Sequence, residues 1–268
     1  LDRPLALHRA QAGDNATASA AWPLLLFVCM GLLVLSLPSR GAEEAAATKA
    51  PETVGTPEAP ESVRVMFMNL NNYLTGNEES VKPANSQQAC ADMLATVAPD
   101  IAIFAELGGE DSLTDLLKRT GDFGKRYAYR SVVEAKDKTR HLAVISRFAP
   151  AEVRHDVTST YNIGDAEVPV RRGFAHCVFT FGKDYTLHVV GAHLKSKVYH
   201  YLGQTDMRRY EARQLRYLVN GLIEKNPEAN VLVMGDINDS PQSSPVKSII
   251  YRRFGTEKEL FDLRPADK

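Results

Sequence analysis

The sequence predicts an α/β or α+β layered domain built on a partly antiparallel sheet. Three observations carry this. Short apolar runs rich in β-branched and aromatic residues alternate with longer segments whose apolar residues recur at helical spacing. Strand-like runs also follow one another without an intervening helix, as hairpins do. The 268 residues are 44% hydrophobic and 24% charged, the proportions of a globular protein and not of a disordered chain. Seventeen Gly and 14 Pro fall at no fixed period, which sets aside collagen-like, solenoid and propeller architectures.

The elements follow in order. RVMFMNL, ending at Leu70, reads as a strand, and residues 85–97 as a helix with Ala89, Met93 and Leu94 on one face. The wholly apolar run 101–105 is a strand covered on both faces. Asp111 opens a short helix that stops at Gly121. Strands are expected at 127–133, 142–146, 174–181 and 187–192. The longest helix spans 206–225, with Ala212, Leu215, Leu218 and Leu222 at helical spacing. A short strand at 231–234 and a helix at 245–254 close the series.

Upstream of this domain, residues 21–37 read AWPLLLFVCMGLLVLSL, uncharged and apolar, with Ser39, Gly41 and Ala42 after them. An apolar core followed by small residues describes an export signal, so a periplasmic or extracellular protein is expected, with a retained membrane anchor as the alternative. A buried core helix fits least, because the flanks cannot supply a partner domain. The chain begins at Leu1 with residues 1–20 ahead of the run, so its start is not expected to be that of the reading frame. Residues 43–61 are mostly Ala, Glu, Pro and Thr, bury too little to offset ordering entropy, and are expected to be a flexible linker. The domain is therefore placed at 62–268. Net charge is −1 with a pI near 6.7, which disfavours a general polyanion-coating protein. Cys90 and Cys177 are expected as two separate buried thiols, although export would permit a disulfide.

Polar residues recur at the ends of the apolar strands, where neighbouring strands can converge on one rim. MFMNLNNYL delivers Asn69, Asn71 and Asn72; IAIFAEL delivers Glu106; LHVVGAHLKSK delivers His193, Lys195 and Lys197; VLVMGDINDSP delivers Asp236, Asn238 and Asp239. Carboxylates, an imidazole and amides are the parts of metal-assisted phosphoryl chemistry. Glu106 emerges straight from a buried strand, where a cation would offset its desolvation; helix capping or solvent contact is the plainer account. Asp236 and Asn238 lie two apart, on one side of an extended chain, so one can serve water and the other a phosphoryl oxygen; Asx-Gly turns look the same. His193 precedes a basic loop and can protonate a leaving oxygen, or can simply be hydrogen-bonded. His141 and His188, at strand starts without such neighbours, serve as controls. Among the arginines, Arg171 or Arg172 before a strand has the better claim to phosphate, whereas Arg208, Arg209, Arg213 and Arg216 are expected mostly on a solvated helix face. There is no G-x-x-x-x-G-K-[ST] loop, G-x-S-x-G turn, H-E-x-x-H or C-x-x-C.

In this order, Asn69 in MNLNNYL, Glu106 in PDIAIFAEL, HLAVISRF, His193 in GAHLKSK, the helix RRYEARQLRYL and GDIND at 235–239 resemble the endonuclease/exonuclease/phosphatase superfamily, with its deoxyribonuclease I-like fold. AHLKSK, an Arg-rich helix and then GDIND are similar to exported bacterial members. The resemblance implies a four-layered α/β sandwich with two mixed, largely antiparallel central sheets. It further implies a divalent metal, Mg²⁺ or Mn²⁺, held by Glu106 with Asn71 as a further metal-associated position. Asn69, Arg172 and Lys195 would meet the substrate phosphate. His193 would act near the leaving group, Asp236 on the water, and Asn238 on a non-bridging phosphoryl oxygen. The expected partner is a phosphate-ester substrate, nucleic acid included, bound by a monomer. Members of the superfamily also end in Ser-Asp-His after further strands, whereas only 30 residues follow Asn238, ending DLRPADK. The expectation is an incomplete hydrolase domain lacking its C-terminal strands, with a non-catalytic binding or scaffold module as the alternative.

Overall fold

The computed structural model describes residues 30–36, 60–75, 81–183, 185–251 and 260–263. The first sheet contains β1 (Met30–Ser36), β2 (Ser62–Tyr73), β3 (Ile101–Leu107), β4 (Tyr129–Val133) and β5 (His141–Ser146), in the spatial order β1-β2-β3-β5-β4. Only β2 and β3 run parallel within it. Helices α1 (Ala84–Val97) and α2 (Glu110–Arg119) lie on its outer face, and a 3₁₀ helix at Gly121–Arg126 leads into β4. The second sheet contains β6 (Glu152–Val153), β9 (Phe174–Phe181), β10 (Tyr185–His193) and β11 (Asn230–Asp236), in the order β11-β10-β9-β6, with β10 and β11 parallel. Strands β7 (Thr160–Ile163) and β8 (Ala166–Pro169) form a separate hairpin. Helices α3 (Gln204–Lys225) and α4 (Ser244–Ile250) cover the outer face of the second sheet.

Strand alternation sorts the side chains into layers. Val63, Val65 and Phe67 of β2 meet Ile101, Ile103 and Ala105 of β3 between the sheets, against Ala175, Cys177 and Phe179 of β9 and Leu187 and Val189 of β10. The intervening residues Met66, Met68 and Leu70 face the other way, onto Cys90, Ala91 and Leu94 of α1 and Leu113, Leu116 and Leu117 of α2. Val190 and Ala192 of β10 turn outward onto Met207, Ala212 and Leu215 of α3. Two sheets face to face between two helical layers are the four-layered arrangement expected. The sheets pack tightly at Gly191, where a Cβ would lie 2.8 Å from both Cδ1 and Cγ2 of Ile103, so a larger residue would force Ile103 to move.

Most elements sit within a few residues of their expected positions. The exceptions have physical reasons. β6 is two exposed residues on a sheet edge and carries no periodicity to read. The β7–β8 hairpin did carry a signal, the Gly164-Asp165 pair between two alternating runs, with Gly164 at φ 58°. The apolar run read as an export signal or anchor enters the described residues only at Met30–Ser36, where it is a strand antiparallel to β2 and not a helix. Its β-compatible residues complete the hydrogen bonds of an otherwise open edge. The rest of that run and nearly all of the 43–61 linker lie outside the described residues. No helix among the described residues is long and apolar enough to cross a membrane. Cys90 and Cys177 are buried free thiols on opposite faces of the first sheet, and burial pushes the Cys177 thiol up to about 11.

Candidate active site

The carboxyl ends of β2, β3, β10 and β11 meet at one rim. The β2–β3 ladder breaks its register between Asn69 and Tyr73, and around this break Asn71, Asn72 and Glu106 take left-handed backbone conformations at φ 49°, 58° and 58°. Asn adopts this region readily, but Glu does so seldom, and such strain of about 1–3 kcal/mol gathers at functional sites. The break turns the Glu106 carboxylate into the rim. There Oε1 accepts from Asn69 Nδ2 at 3.0 Å and Oε2 from the Asn72 N–H at 3.1 Å.

The same Asn69 amide donates to Asp236 Oδ2 at 2.9 Å, so one NH₂ group bridges the carboxylates of the two sheets. Asp236 ends β11 directly opposite His193 in the ladder, and its Oδ1 accepts the Asn238 N–H at 2.8 Å. His193 closes β10 and is 4% exposed. Its Nε2 lies 3.7 Å from Glu106 Oε1, too far for a hydrogen bond, and its buried Nδ1 has no hydrogen-bond partner. Burial first, then the guanidinium groups of Arg172 and Arg140, hold its pKa well below the usual imidazole range. The ring is therefore neutral and the 3.7 Å contact is not an ion pair.

Asn69, Glu106, His193 and Asp236 thus converge as expected. Asn238 joins them in a left-handed turn at φ 56°, with Nδ2 donating to the Leu194 carbonyl at 2.9 Å. Asn71 lies at the edge of this group. Its side chain is exposed, its N–H donates to Asn69 Oδ1 at 2.8 Å, and its carbonyl accepts from Lys82 Nζ at 3.0 Å. The backbone of Asn71 orients Asn69. The controls lie elsewhere: His188 pairs with His176 at 3.1 Å and His141 faces the Val133 carbonyl.

Arg172 and Lys195 reach a cavity of about 200 Å³ beside His193, lined also by Asp137, Thr139, Arg140, Arg171 and Glu211. Arg172 Nη1 donates to the Leu194 carbonyl at 3.3 Å, and its Nε lies 3.4 Å from Asp137 Oδ2. Burial would raise Asp137, but the N–H groups of Thr139 and Arg140 and the Arg172 guanidinium hold its carboxyl below the usual range. Lys195 is lowered by burial and by Arg172.

Helix α3 departs from its expected role. Arg213 is exposed, but Arg208 and Arg216 are 4% and 3% exposed, and so is Glu211 at 3%. The cause is geometric: α3 packs its first turns on the loops after His193 and Asp236, and farther along Arg216 donates to the Ile249 carbonyl of α4 at 2.9 Å. Arg208 Nε donates to Asp239 Oδ2 at 2.8 Å, while Nη1 donates to the carbonyls of Lys195 at 3.1 Å and Ser196 at 3.3 Å. It joins the loop after His193 to the loop after Asp236. Glu211 Oε2 accepts the Lys195 N–H at 2.5 Å, and burial pushes its carboxyl up to about 7. The signal was present in the spacing, since Arg208, Glu211, Ala212 and Leu215 share one helical face. Arg140 and Asp137 carried no comparable signal.

A family model described as the Endonuclease/Exonuclease/phosphatase family matches residues 66–261. The chain belongs to this family. Among solved structures it is similar to truncated TDP2 of Caenorhabditis elegans, at 18% identity over 67% of this chain and 64% of that one, with TM-score 0.46. It is also similar to sphingomyelinase C of Streptomyces griseocarneus, at 18% identity over 61% of each chain with TM-score 0.44. A beta-hairpin deletion mutant of Staphylococcus aureus beta toxin is similar at 18% identity over 70% of this chain and 72% of that one, with TM-score 0.49. The chain therefore spans less than two thirds of the first two of these proteins. Among curated proteins no relative matches.

The rim's donor set suits a hard divalent cation. Glu106 is a part-buried carboxylate held by two neutral N–H donors, with no Lys or Arg ion pair among the described residues, and Asp236 stands beside it across Asn69. No group of three His, Cys, Asp or Glu forms a closed cage among the described residues. Few protein ligands are what Mg²⁺ accepts, since it keeps several waters and binds through one or two carboxylates and substrate phosphate.

Proposed function

We propose that this chain is a Mg²⁺-dependent phosphoric-ester hydrolase acting on phosphodiesters by attack of water on phosphorus. The observation that carries the reading is the Asn69 amide bridging Glu106 and Asp236 beside a neutral, buried His193. Glu106 would hold the cation, which when bound stabilises negative charge on the phosphoryl oxygens. Asp236 takes a proton from the attacking water. Asn238 spends one amide N–H on Leu194 and offers the second to a non-bridging oxygen. The substrate's negative charge offsets the field of Arg172 and Arg140, so that His193 can take a proton and pass it to the leaving oxygen as the P–O bond breaks.

Hydrolysis of bis-p-nitrophenyl phosphate with Mg²⁺ tests the reading. Asp236→Asn is expected to lower kcat by about 10²–10⁴-fold, the usual contribution of a positioned base. An unaltered kcat removes Asp236 from the chemistry, and retained phosphate binding without any turnover in the parent chain favours a binding module. Export through the apolar run 21–37 belongs to the same proposal, and fractionation of cells expressing the chain decides it: retention in the cytosol contradicts it.

A further inference from the structure

The cavity beside His193 adjoins the rim and shares His193 with it, but Asn69, Glu106, Asp236 and Asn238 do not line it. We infer that it is a subsite for a second phosphate, and that the substrate is a phosphoric ester carrying a further phosphate monoester close to the bond that is cut. The inference rests on the hydrolase reading for the word substrate, but the subsite itself does not require catalysis.

Size and charge agree. At about 30 Å³ per water, the 200 Å³ cavity has space for a phosphate and part of its solvation shell. Four cationic side chains, Arg140, Arg171, Arg172 and Lys195, face it against Asp137 and Glu211. Asp137 is paired with Arg172, and Glu211 accepts from the backbone N–H of Lys195. Among the described residues no ion pair matches Arg140, Arg171 or Lys195. The Nε of Arg172 faces Asp137 Oδ2 at 3.4 Å and its Nη1 donates to the Leu194 carbonyl, so the guanidinium is held in place at the cavity wall. A diester phosphate carries one negative charge and would leave this set in excess, whereas a monoester dianion balances it. Planar guanidinium groups beside an ammonium are the usual receptor for that dianion. His193 forms a shared wall, so a substrate could lay its scissile phosphate at the rim and its second phosphate in the cavity.

The direct test titrates inorganic phosphate into the full chain by calorimetry with a chelator present, so that no metal takes part. Binding is expected, and Arg171→Gln, at an exposed position, is expected to weaken it roughly tenfold, the effect of losing one charge-assisted contact. A second arm compares kcat/KM for a nucleoside p-nitrophenyl phosphodiester with and without a phosphate on its other hydroxyl, and for a sugar bisphosphate against its monophosphate. Preference for the more phosphorylated member of either pair, reduced in Arg171→Gln, supports the subsite and identifies its source. Absence of phosphate binding, equal binding in the variant, or no preference in either pair overturns it. If none of these esters is cleaved, the hydrolase reading fails while the phosphate titration still decides the subsite.

Discussion

The helical layers on the two sheets are buried against different chemistry. Over the first sheet, α1 and α2 present Cys90, Ala91, Leu94, Leu113, Leu116 and Leu117 to an apolar surface. Over the second, α3 buries Met207, Ala212, Leu215 and Val219 but also Arg208, Glu211 and Arg216. Burying a charge is costly unless it is paired and hydrogen-bonded. Arg208 meets that condition with four acceptors drawn from α3 itself and from the two loops carrying the site. One layer is packed on apolar side chains alone, and the other also holds the two loops of the candidate site.

The comparison can be broken at either layer. The largest effect is expected for Arg208→Ala, which leaves Asp239 without its partner and frees both loops. Stability should fall by about 3–5 kcal/mol, as for other broken buried pairs. Hydrolysis should fall by about a hundredfold even at temperatures where the variant is folded, since small misplacements at a site cost that much. Arg208→Lys restores the charge but not the fork, and should recover stability more than rate. Equal recovery of both would reduce Arg208 to an ordinary structural residue.

Leu94→Ala samples the other layer. A cavity under α1 should cost about 2–5 kcal/mol in a denaturant titration, with kcat of the folded fraction unmoved. A change in kcat would show that the layers are coupled.

Glu211 gives a smaller, pH-dependent effect. Its folded-state pKa lies above its ordinary value, so its contribution is fully present below about pH 4.5 and lost as pH rises through about 7. Glu211→Gln, which keeps an acceptor for the Lys195 N–H, should therefore gain on the parent chain by about 1–3 kcal/mol between acid and mildly alkaline pH. Parallel stability curves for the two would contradict burial as the dominant influence.

Much of this was legible in the sequence because strands expose their ends. Glu106, His193 and Asp236 each follow an apolar run directly, so period and position were enough to single them out. The backbone contact through which Asn71 holds Asn69 was not readable, because it depends on a register break between β2 and β3 that only strand pairing reveals. For α3, the apolar stripe was correctly read but its width was not. Arg208 and Glu211 share the spacing of that stripe, but their charge reads as a solvated face until the loops that pack on them are in place. Arg140 reaches Asn72 from 68 residues away, a contact that no local pattern encodes.

The most direct test of the central claim is Mg²⁺ titrated by calorimetry into the parent chain and into Glu106→Gln, a change that keeps the shape of the side chain and removes its charge. The account predicts saturable binding to the parent, with affinity weakened about tenfold or more in the variant. Equal affinity in the two would contradict the assignment of Glu106 as the cation's ligand, and with it the proposed hydrolytic site.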